Sequence, residues 1–422
     1  MRNYLKKKTE EILKNCAQRI LKKFNPFIIC VTGSFGKTST KEAIKDVLSQ
    51  KYDILANKDT YNTELGVPLT ILEEEEPVYP VGWIFKLIKC YFKSLFLKSY
   101  HEKLVLEMGA DKPGDIEYLM SFVKPDIAIV TNIGPVHLEE FESVESIFEE
   151  KLKLPKSLSK EGIAILNWDD DKVRMMNRHI DGRIMYFSKS EKTDIWAQDI
   201  KIENTDLFFK INYDDEKVKV HLKNNANPLA VYSVLVSFLI GKILNLKNEE
   251  IIKGIDKIKP FKGRMRIISG INESTIIDDS YNSNPETAKN ALGVLAKFST
   301  KGRKIAVLGK MNELGTYKEE GHKIVGKTVP GKADILVAVG EEPKKYIAHE
   351  AIKHGFSKDK IYFLENSKKA GDFLKTFIKK DDIILFKGSQ NSVRLEWAIE
   401  KVMTDPSEAK NLLVRQGPKW RK

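Results

Sequence analysis

Cysteine is scarce: Cys16, Cys30 and Cys90 are the only three in 422 residues, and their spacing fits no metal-binding pattern. An odd, scattered set argues against a disulfide framework and against structural zinc. Long apolar runs are missing as well. No stretch of about 18 uncharged residues exists, so no segment reads as a membrane span. The charged start, MRNYLKKKTEEILKN, lacks a signal-peptide core. Proline (15) and glycine (25) are too few for a fibrous or low-complexity chain. No RNP motif, zinc-finger spacing or helix-turn-helix pattern is present, and the lysines are spread along the chain. The net charge of +12 therefore reads as a lysine-rich solvated surface suited to anionic small molecules, with no nucleic-acid partner expected. What remains is a cytoplasmic, monomeric globular chain, long enough for two or three domains.

What the chain does have is VTGSFGKTST, residues 31 to 40. A buried-type strand, FIIC, precedes it and the helix pattern KEAIKDVLSQ follows. Strand, glycine turn, Lys and Thr, then helix is phosphate-binding architecture, because free N–H groups at the turn and the helix start converge on an anion. Gly33, Ser34, Gly36, Lys37, Thr38 and Ser39 form the expected nucleotide loop. Lys37 would reach the terminal phosphates, and the Thr38 hydroxyl would ligate Mg²⁺. Val31 stands where the general P-loop has its first glycine.

Short apolar runs alternate with helix-patterned segments from residue 27 onward, which predicts an α/β fold. FIICVTG, KLVLEMG, DIAIVTNIG and GIAILNW read as strands of a mostly parallel sheet in a P-loop ATPase domain spanning 27–260. NPLAVYSVLVSFLIGKIL reads as a buried helix. KIKPFKGRMRI (257–267) reads as a hinge. STIIDD, KIAVLG, ADILVAVG, IYFL and DIILFKGS then suit a Rossmann-like C-terminal domain over 261–405. An N-terminal helix covers 1–26, and a basic tail, 406–422, carries no assignment. WIFKLIKCYFKSLFLK (83–98) is an amphipathic insert with lysines at helical spacing. It either lies flat on a membrane surface as a peripheral contact or docks on its own domain with its lysines facing water.

Further motifs follow in order: NKDTYNTELGVPLTIL, LEMGADKPGDI, TNIGPVHLEEFESVESIFEEKLKL, NNANPLAV, FKGRM, IIDDSYNSNP, LGKMNELG and FKGS. Together with the loop, they closely resemble the Mur ligase family, from residue 27 to about 403. DDSYNSNP and LGKMNELG are most similar to the branch that adds D-alanyl-D-alanine to a UDP-MurNAc-tripeptide in peptidoglycan precursor synthesis. The resemblance implies ATP and Mg²⁺ as cofactors. It also implies a ligase that phosphorylates a carboxylate and passes the acyl group to an amine. Its small-molecule partners would be ATP, a muramyl-peptide-like carboxylate and a dipeptide or amino acid.

By the same resemblance, Lys37, His137, Lys151 and Arg264 are catalytic. Thr38 and Glu107 hold one Mg²⁺, and His137 helps hold a second. A family lysine fourteen positions after the matching His is carbamylated, and Lys151 sits at that spacing, with Lys153 the competitor if the register slips. Carbamylation would turn a cation into the oxygen anion a Mg²⁺ site wants. Asn227 matches an adenine contact, although the Gly-x-His that usually precedes it is absent. Asp279 matches a ribose contact and Arg264 a phosphate-side contact. Asn62, Thr63, Asn282, Asn284, Lys387 and Ser389 are expected at the substrate. Lys310 replaces the Asp usual in the LGKMNELG loop.

Only about thirty residues precede the P-loop here, whereas this branch usually carries a UDP-binding N-terminal domain in front of it. A folylpolyglutamate-synthase-like or other amino-acid ligase with a different acceptor is therefore the alternative. A non-catalytic ATP-binding regulator and a nucleic-acid-associated P-loop ATPase are the readings from other classes.

Overall fold

Alternation along single strands divides each domain's core in two. In the computed structural model, which describes residues 2–58, 61–203, 205–390, 392–417 and 420, strand β1 (Phe27–Thr32) sends Ile28 and Cys30 to one face and Ile29 and Val31 to the other. Both sets are buried, because helices cover both faces. That is why the parallel strands read as unbroken apolar runs.

Among the described residues, the first sheet also holds β2 (Ile54–Ala56), β3 (Lys103–Glu107), β4 (Ile127–Val130), β5 (Ile163–Asn167), β6 (Arg183–Ser188), β7 (Ile195–Glu203), β8 (Asp206–Tyr213) and β9 (Glu216–Leu222). Their order is β2-β3-β1-β4-β5-β6-β7-β8-β9, parallel as far as β7 and antiparallel beyond. The second sheet is built from β10 (Arg266–Ser269), β11 (Thr275–Asp279), β12 (Lys304–Gly309), β13 (Ile335–Val339), β14 (Ile361–Leu364) and β15 (Ile383–Lys387). It runs β10-β11-β15-β12-β13-β14, with only β10 antiparallel. The fold is thus the expected α/β pair, a P-loop domain followed by a Rossmann-like one.

The 183–222 ribbon was not legible beforehand. Its strands alternate lysines and acids with apolar residues, so no continuous run marks them. A tight turn at Asp214 (φ 49°) joins β8 to β9. The Ala230–Ile243 helix is buried almost all round, as its composition requires.

Helix α1 (Arg2–Phe24) packs into the first domain's core through Leu13, Cys16, Ala17 and Ile20, so it is part of that domain. Helix α2 (Lys37–Leu48) opens directly from the glycine loop. Beyond a short α3 (Gly66–Ile71) comes α4 (Gly82–Phe96), which docks on α1 through Cys90 and Ser94. Its orientation reverses the docked arrangement considered from sequence. Lys86 and Lys93 turn aside to pair with Glu74 and Glu73, and the apolar stripe faces water. No helix among the described residues is long and apolar enough to cross a membrane.

The tail also packs. Ala409 and Leu413 join the second domain's core, and Arg415 enters a buried ion-pair cluster. Glu396, with no exposed surface, accepts from both Arg394 and Arg415 at 2.7 and 2.8 Å. Arg415 in turn donates to the carbonyls of Ser280 (2.7 Å) and Tyr281 (3.0 Å), inside the DDSYNSNP segment. Removing Arg415 leaves Glu396 paired with Arg394 alone and deprives the Ser280 and Tyr281 carbonyls of their donor, at a cost of about 1–3 kcal/mol. Arg415→Ala should therefore lower the urea midpoint by about that amount of stability and weaken nucleotide binding through Tyr281. Equilibrium unfolding and ADP titration on the same variant check both.

Candidate active site

The C-terminal ends of β1, β3 and β4 meet the ends of β11 and β15 across one cleft of about 260 Å³. Ligands of α/β sheets collect at such ends, since each strand there releases its chain into a loop. The glycine loop forms the floor. Gly33 has φ 144°, and a Cβ there would fall 1.9 Å from Thr131 Oγ1. Gly36 caps α2 in the left-handed region at φ 80°. The loop is tied down by the strand beside it: Phe35 N–H donates to Asn132 Oδ1 (2.8 Å), and Thr131 Oγ1 donates to Phe35 O (2.7 Å). Ser34 N–H donates to Asn132 O (3.0 Å). Thr131 and Asn132 were not singled out from sequence. Their signal was their place immediately after a buried strand, which only the sheet order reveals as the neighbour of β1.

Lys37 Nζ lies across the loop on Gly33 O at 2.8 Å. Desolvation lowers its pKa, Arg264 adds to the effect, and Glu107 opposes it. Glu107, at the end of β3, is buried. Its Oε1 accepts from Asn62 Nδ2 at 2.9 Å, and its backbone is pinned by both ends of the Asn57 amide. Its Oε2 is buried with no hydrogen-bond partner. An orphaned carboxylate oxygen is costly unless something else uses it. With the buried Thr38 hydroxyl lining the same floor, it suits a hard cation that prefers oxygen. No group of three or more His, Cys, Asp or Glu side chains could hold a metal by itself among the described residues. Further ligands must come from elsewhere, such as substrate phosphates or a modified side chain.

Lys151 supplies the second point. It sits in the Val144–Lys156 helix and lines the cleft, almost wholly buried. Desolvation, with the Lys37 charge adding to it, pulls its pKa down to about 7, against Glu150, Asp111 and Glu107. Lys153 points elsewhere, to Glu117 and Glu150 at 3.1 and 2.9 Å. Of the two candidate lysines, Lys151 lines the cleft and Lys153 does not.

His137 lines the cleft in a left-handed conformation (φ 51°), with Nε2 3.5 Å from Asp111 and Nδ1 3.1 Å from Glu313. Both ring nitrogens are thus engaged by carboxylates, so a cation held there would have to displace one of these pairs. The hydrogen bond with His137 holds the Glu313 carboxyl below its usual range. Glu313 belongs to LGKMNELG, and its carbonyl also accepts from Leu138 N–H (2.9 Å), so this loop touches the first domain. Lys310 lies outside the cleft lining, and its carbonyl accepts from Ser389 N–H.

The hinge contributes Arg264, whose guanidinium stacks 4.3 Å from the Tyr281 ring. Gly263 (φ 68°) lies so close to Tyr281 that a Cβ would meet its N at 2.8 Å. Asp279 lines the cleft but is shared between Lys387 Nζ (2.8 Å) and Met265 N–H (3.2 Å). Beside it, burial raises Asp278 to about 6. Asn227 lies at the opposite end, its Oδ1 accepting from Leu229 N–H. Asn62, Asn282, Asn284 and Lys387 line the cleft too. Thr63 and Ser389 do not. Thr63 lies just ahead of α3, its carbonyl accepting from Val67 N–H, while Ser389 is buried and bridges Asn312 N–H and Ser283 O. In this structure the Thr63 carbonyl and the Ser389 hydroxyl are engaged by neighbouring loop groups.

Fold and cleft together define a P-loop nucleotide protein of two α/β domains. The family model for the Mur ligase middle domain matches residues 31–235, and that for the Mur ligase glutamate ligase domain matches 263–390. The UDP-N-acetylmuramoyl-tripeptide--D-alanyl-D-alanine ligase of Bacillus subtilis is 28% identical over 93% of this chain and 79% of its own length. The enzyme of that name from Buchnera aphidicola subsp. Baizongia pistaciae is 30% identical over 91% and 77%. The crystal structure of MurF ligase from Thermotoga maritima in complex with ADP superposes with a TM-score of 0.77 at 27% identity, covering 95% of this chain and 84% of that one. The chain belongs to the Mur ligase family.

Gly33→Ala should force the loop away from Thr131, since strain of about 1–3 kcal/mol falls on a position only glycine tolerates. Calorimetric titration with ADP should show affinity reduced by about tenfold or more, with the folded state retained.

Proposed function

We propose that this chain is an ATP-dependent ligase that joins D-alanyl-D-alanine to a UDP-N-acetylmuramoyl-tripeptide, working as a monomer on small-molecule substrates. The observation that carries it is the convergence, in one cleft, of the glycine loop, the unpartnered Glu107 Oε2 and the buried Lys151. Both curated relatives named above are UDP-N-acetylmuramoyl-tripeptide--D-alanyl-D-alanine ligases, which favours this reading over a folate-type acceptor.

The loop N–H groups and Lys37 bind the nucleotide's phosphates, and Arg264, from the other domain, meets them across the cleft. Asn227 faces the base. Asp279 faces the ribose, sharing its carboxylate with Lys387. The γ-phosphoryl group passes to the acceptor carboxylate, giving an acyl phosphate and ADP. The amine of the dipeptide then attacks the acyl carbon, forms the amide bond and expels phosphate. Positioning and charge neutralisation supply most of the acceleration in such transfers. Mg²⁺, when bound, adds neutralising charge between phosphate oxygens and carboxylate. Thr38 and Glu107 would hold it, together with carbamylated Lys151, and His137 would serve a second ion. Asn62 keeps the Glu107 carboxylate oriented; Asn282, Asn284 and Lys387 face the substrates.

Carbamylation needs a neutral amine: the Lys151 nitrogen bonds to the carbon of CO₂, a C–O π pair moves onto oxygen, and the nitrogen gives up a proton to solvent, leaving a carbamate whose charge rests on the two oxygens. A pKa pulled to about 7 makes that amine available near neutrality, where an ordinary lysine is almost wholly charged. The sign follows. Below about pH 7 the folded protein also protonates Lys151, so carbamate content and activity should fall as pH drops through that value.

Lys37→Ala should abolish ATP-dependent phosphate release while unfolding as a folded protein does; wild-type turnover would remove the loop from the mechanism. Lys151→Ala should lose about a hundredfold or more in turnover, the scale of removing one preorganised charge from a site. A short carboxylic acid should restore part of it, and Lys153→Ala should stay active. ¹³C-bicarbonate should give a carbamate resonance in the wild type that Lys151→Ala lacks. Two active lysine variants would sink the carbamate role.

A further inference from the structure

Among the described residues, ten of the sixteen large hydrophobic side chains standing exposed lie between Val78 and Phe96. On α4 they form one stripe at helical spacing: Val81, Ile84, Phe85, Ile88, Phe92 and Phe96, with Phe85 71% and Phe96 70% exposed. Spread over fifteen residues, the stripe is roughly 22 Å long. The helix is not missing its own partner, because its opposite side is already packed. Cys90 and Ser94 are buried against α1, Arg19 Nη1 donates to Ser94 Oγ at 2.9 Å, and the same guanidinium lies 5.3 Å from the Tyr91 ring. Soluble monomers rarely keep so continuous an apolar surface in water.

The surroundings of the stripe indicate its partner. Lys89, 65% exposed although its Nζ lies 2.7 Å from Glu74 Oε1, and the exposed Lys98 flank it. Lys22 and Lys23 end α1 beside it, Lys23 reaching the Leu95 and Leu97 carbonyls at 3.1 and 2.7 Å. Lys86 and Lys93 lie along its edge against Glu74 and Glu73. An apolar face rich in phenylalanine, with tyrosines Tyr79 and Tyr91 at its margin and a cationic rim, is the composition of a helix lying in a headgroup layer. The chain's +12 charge draws it to the same surface. A second copy fits less well, since an isologous pairing would set one lysine rim against its duplicate.

We propose that α4 is an interfacial anchor. It seats the enzyme on an anionic lipid bilayer, with the phenylalanine stripe among the acyl chains near the headgroups and the lysine rim on lipid phosphates. The anchor lies flat and does not span. It stands independently of the ligase reading, because none of its residues lines the cleft.

The full chain, sedimented with phosphatidylcholine vesicles with and without phosphatidylglycerol, provides the test. Binding should be about tenfold stronger with the anionic lipid and should fall as salt rises. Phe85→Asp with Phe92→Asp, both exposed and so tolerable to the fold, should cut vesicle binding by about tenfold or more with ATP turnover in solution unchanged. Lys89→Glu with Lys98→Glu should erase the preference for anionic vesicles. Wild-type protein that sediments with neither vesicle would overturn the proposal. So would a dimer in solution that the aspartate pair converts to monomer, which would assign the face to a second copy. Equal binding to both vesicles would remove the charge component and with it the proposal as stated.

Discussion

The site is organised by a surplus of positive charge held out of water. Lys37 and Lys151 both line the cleft; burial disfavours the ammonium state of each, with the Lys37 charge adding to the effect at Lys151 and Arg264, from the second domain, adding to it at Lys37. Against them stands Glu107, with one oxygen bonded to Asn62 and the other unpartnered. In a low-dielectric cleft such an assembly is expensive when empty, and a polyanion relieves it. On the proposed reading, nucleotide phosphates would neutralise Lys37 and Arg264, and conversion of Lys151 to a carbamate would reverse the sign of the third charge. Backbone strain collects at the same place: His137, Met265 and Glu313 all hold positive φ values around or beside the cleft. Strain of this kind persists only where surrounding contacts over-determine it.

The sheets make those contacts. Asn57 ties β3 to the loop that carries Asn62, using both ends of its amide on Glu107's backbone and a further bond to Tyr61 O. Lys41, wholly buried in α2, donates to Asn57 O and pairs with Glu42. A chain of buried polar groups therefore runs from the helix behind the phosphate loop to the carboxylate facing it. On the other side, Glu150 accepts from Gly114 and Ile116 N–H and so fixes the turn after β3 one residue away from Lys151. Fully satisfied networks of this sort specify one arrangement of the groups they touch.

Much of this was readable from residue order, and the remainder was not for identifiable reasons. The parallel strands announced themselves because both their faces are buried, so Ile29 and Cys30 are equally apolar. The 183–222 ribbon hid because one of its faces is wet. Lys37, Thr38, Glu107 and Lys151 could be named from motif and family spacing, yet the features that give them chemistry arise only in three dimensions. An unpartnered oxygen and a desolvated amine have no sequence signature. Asn57, Thr131, Asn132 and Glu313 were missed because each acts through a neighbour distant in the chain. Ser389 shows how a hydroxyl beside a motif can find backbone partners, here Asn312 N–H and Ser283 O. The lysines of 83–98 carried the wrong emphasis as well, since Glu73 and Glu74, outside the helix, decide which way they turn.

Closure of the two domains is the remaining step, and the contacts that bridge them are few and wet. His137 pairs with Glu313 at 3.1 Å, both about 30% exposed, and Leu138 N–H reaches Glu313 O. Half-exposed ion pairs contribute little, typically about 0–1 kcal/mol. By contrast, the hinge side is built firmly. Gly263 N–H donates to the buried Asp278, Tyr281 N–H donates to Gly263 O, and Arg415 grips the Ser280 and Tyr281 carbonyls from behind. Arg264 therefore rides on a rigid mount, whereas the opposite lip is held by a pair that a bound cation at His137 would break. The closed state then owes its stability mainly to what lies between the domains. On the proposed reading, a nucleotide held by Lys37 on one side and Arg264 on the other would join them directly, and ligand-dependent closure would follow from that bridge without a separate switch.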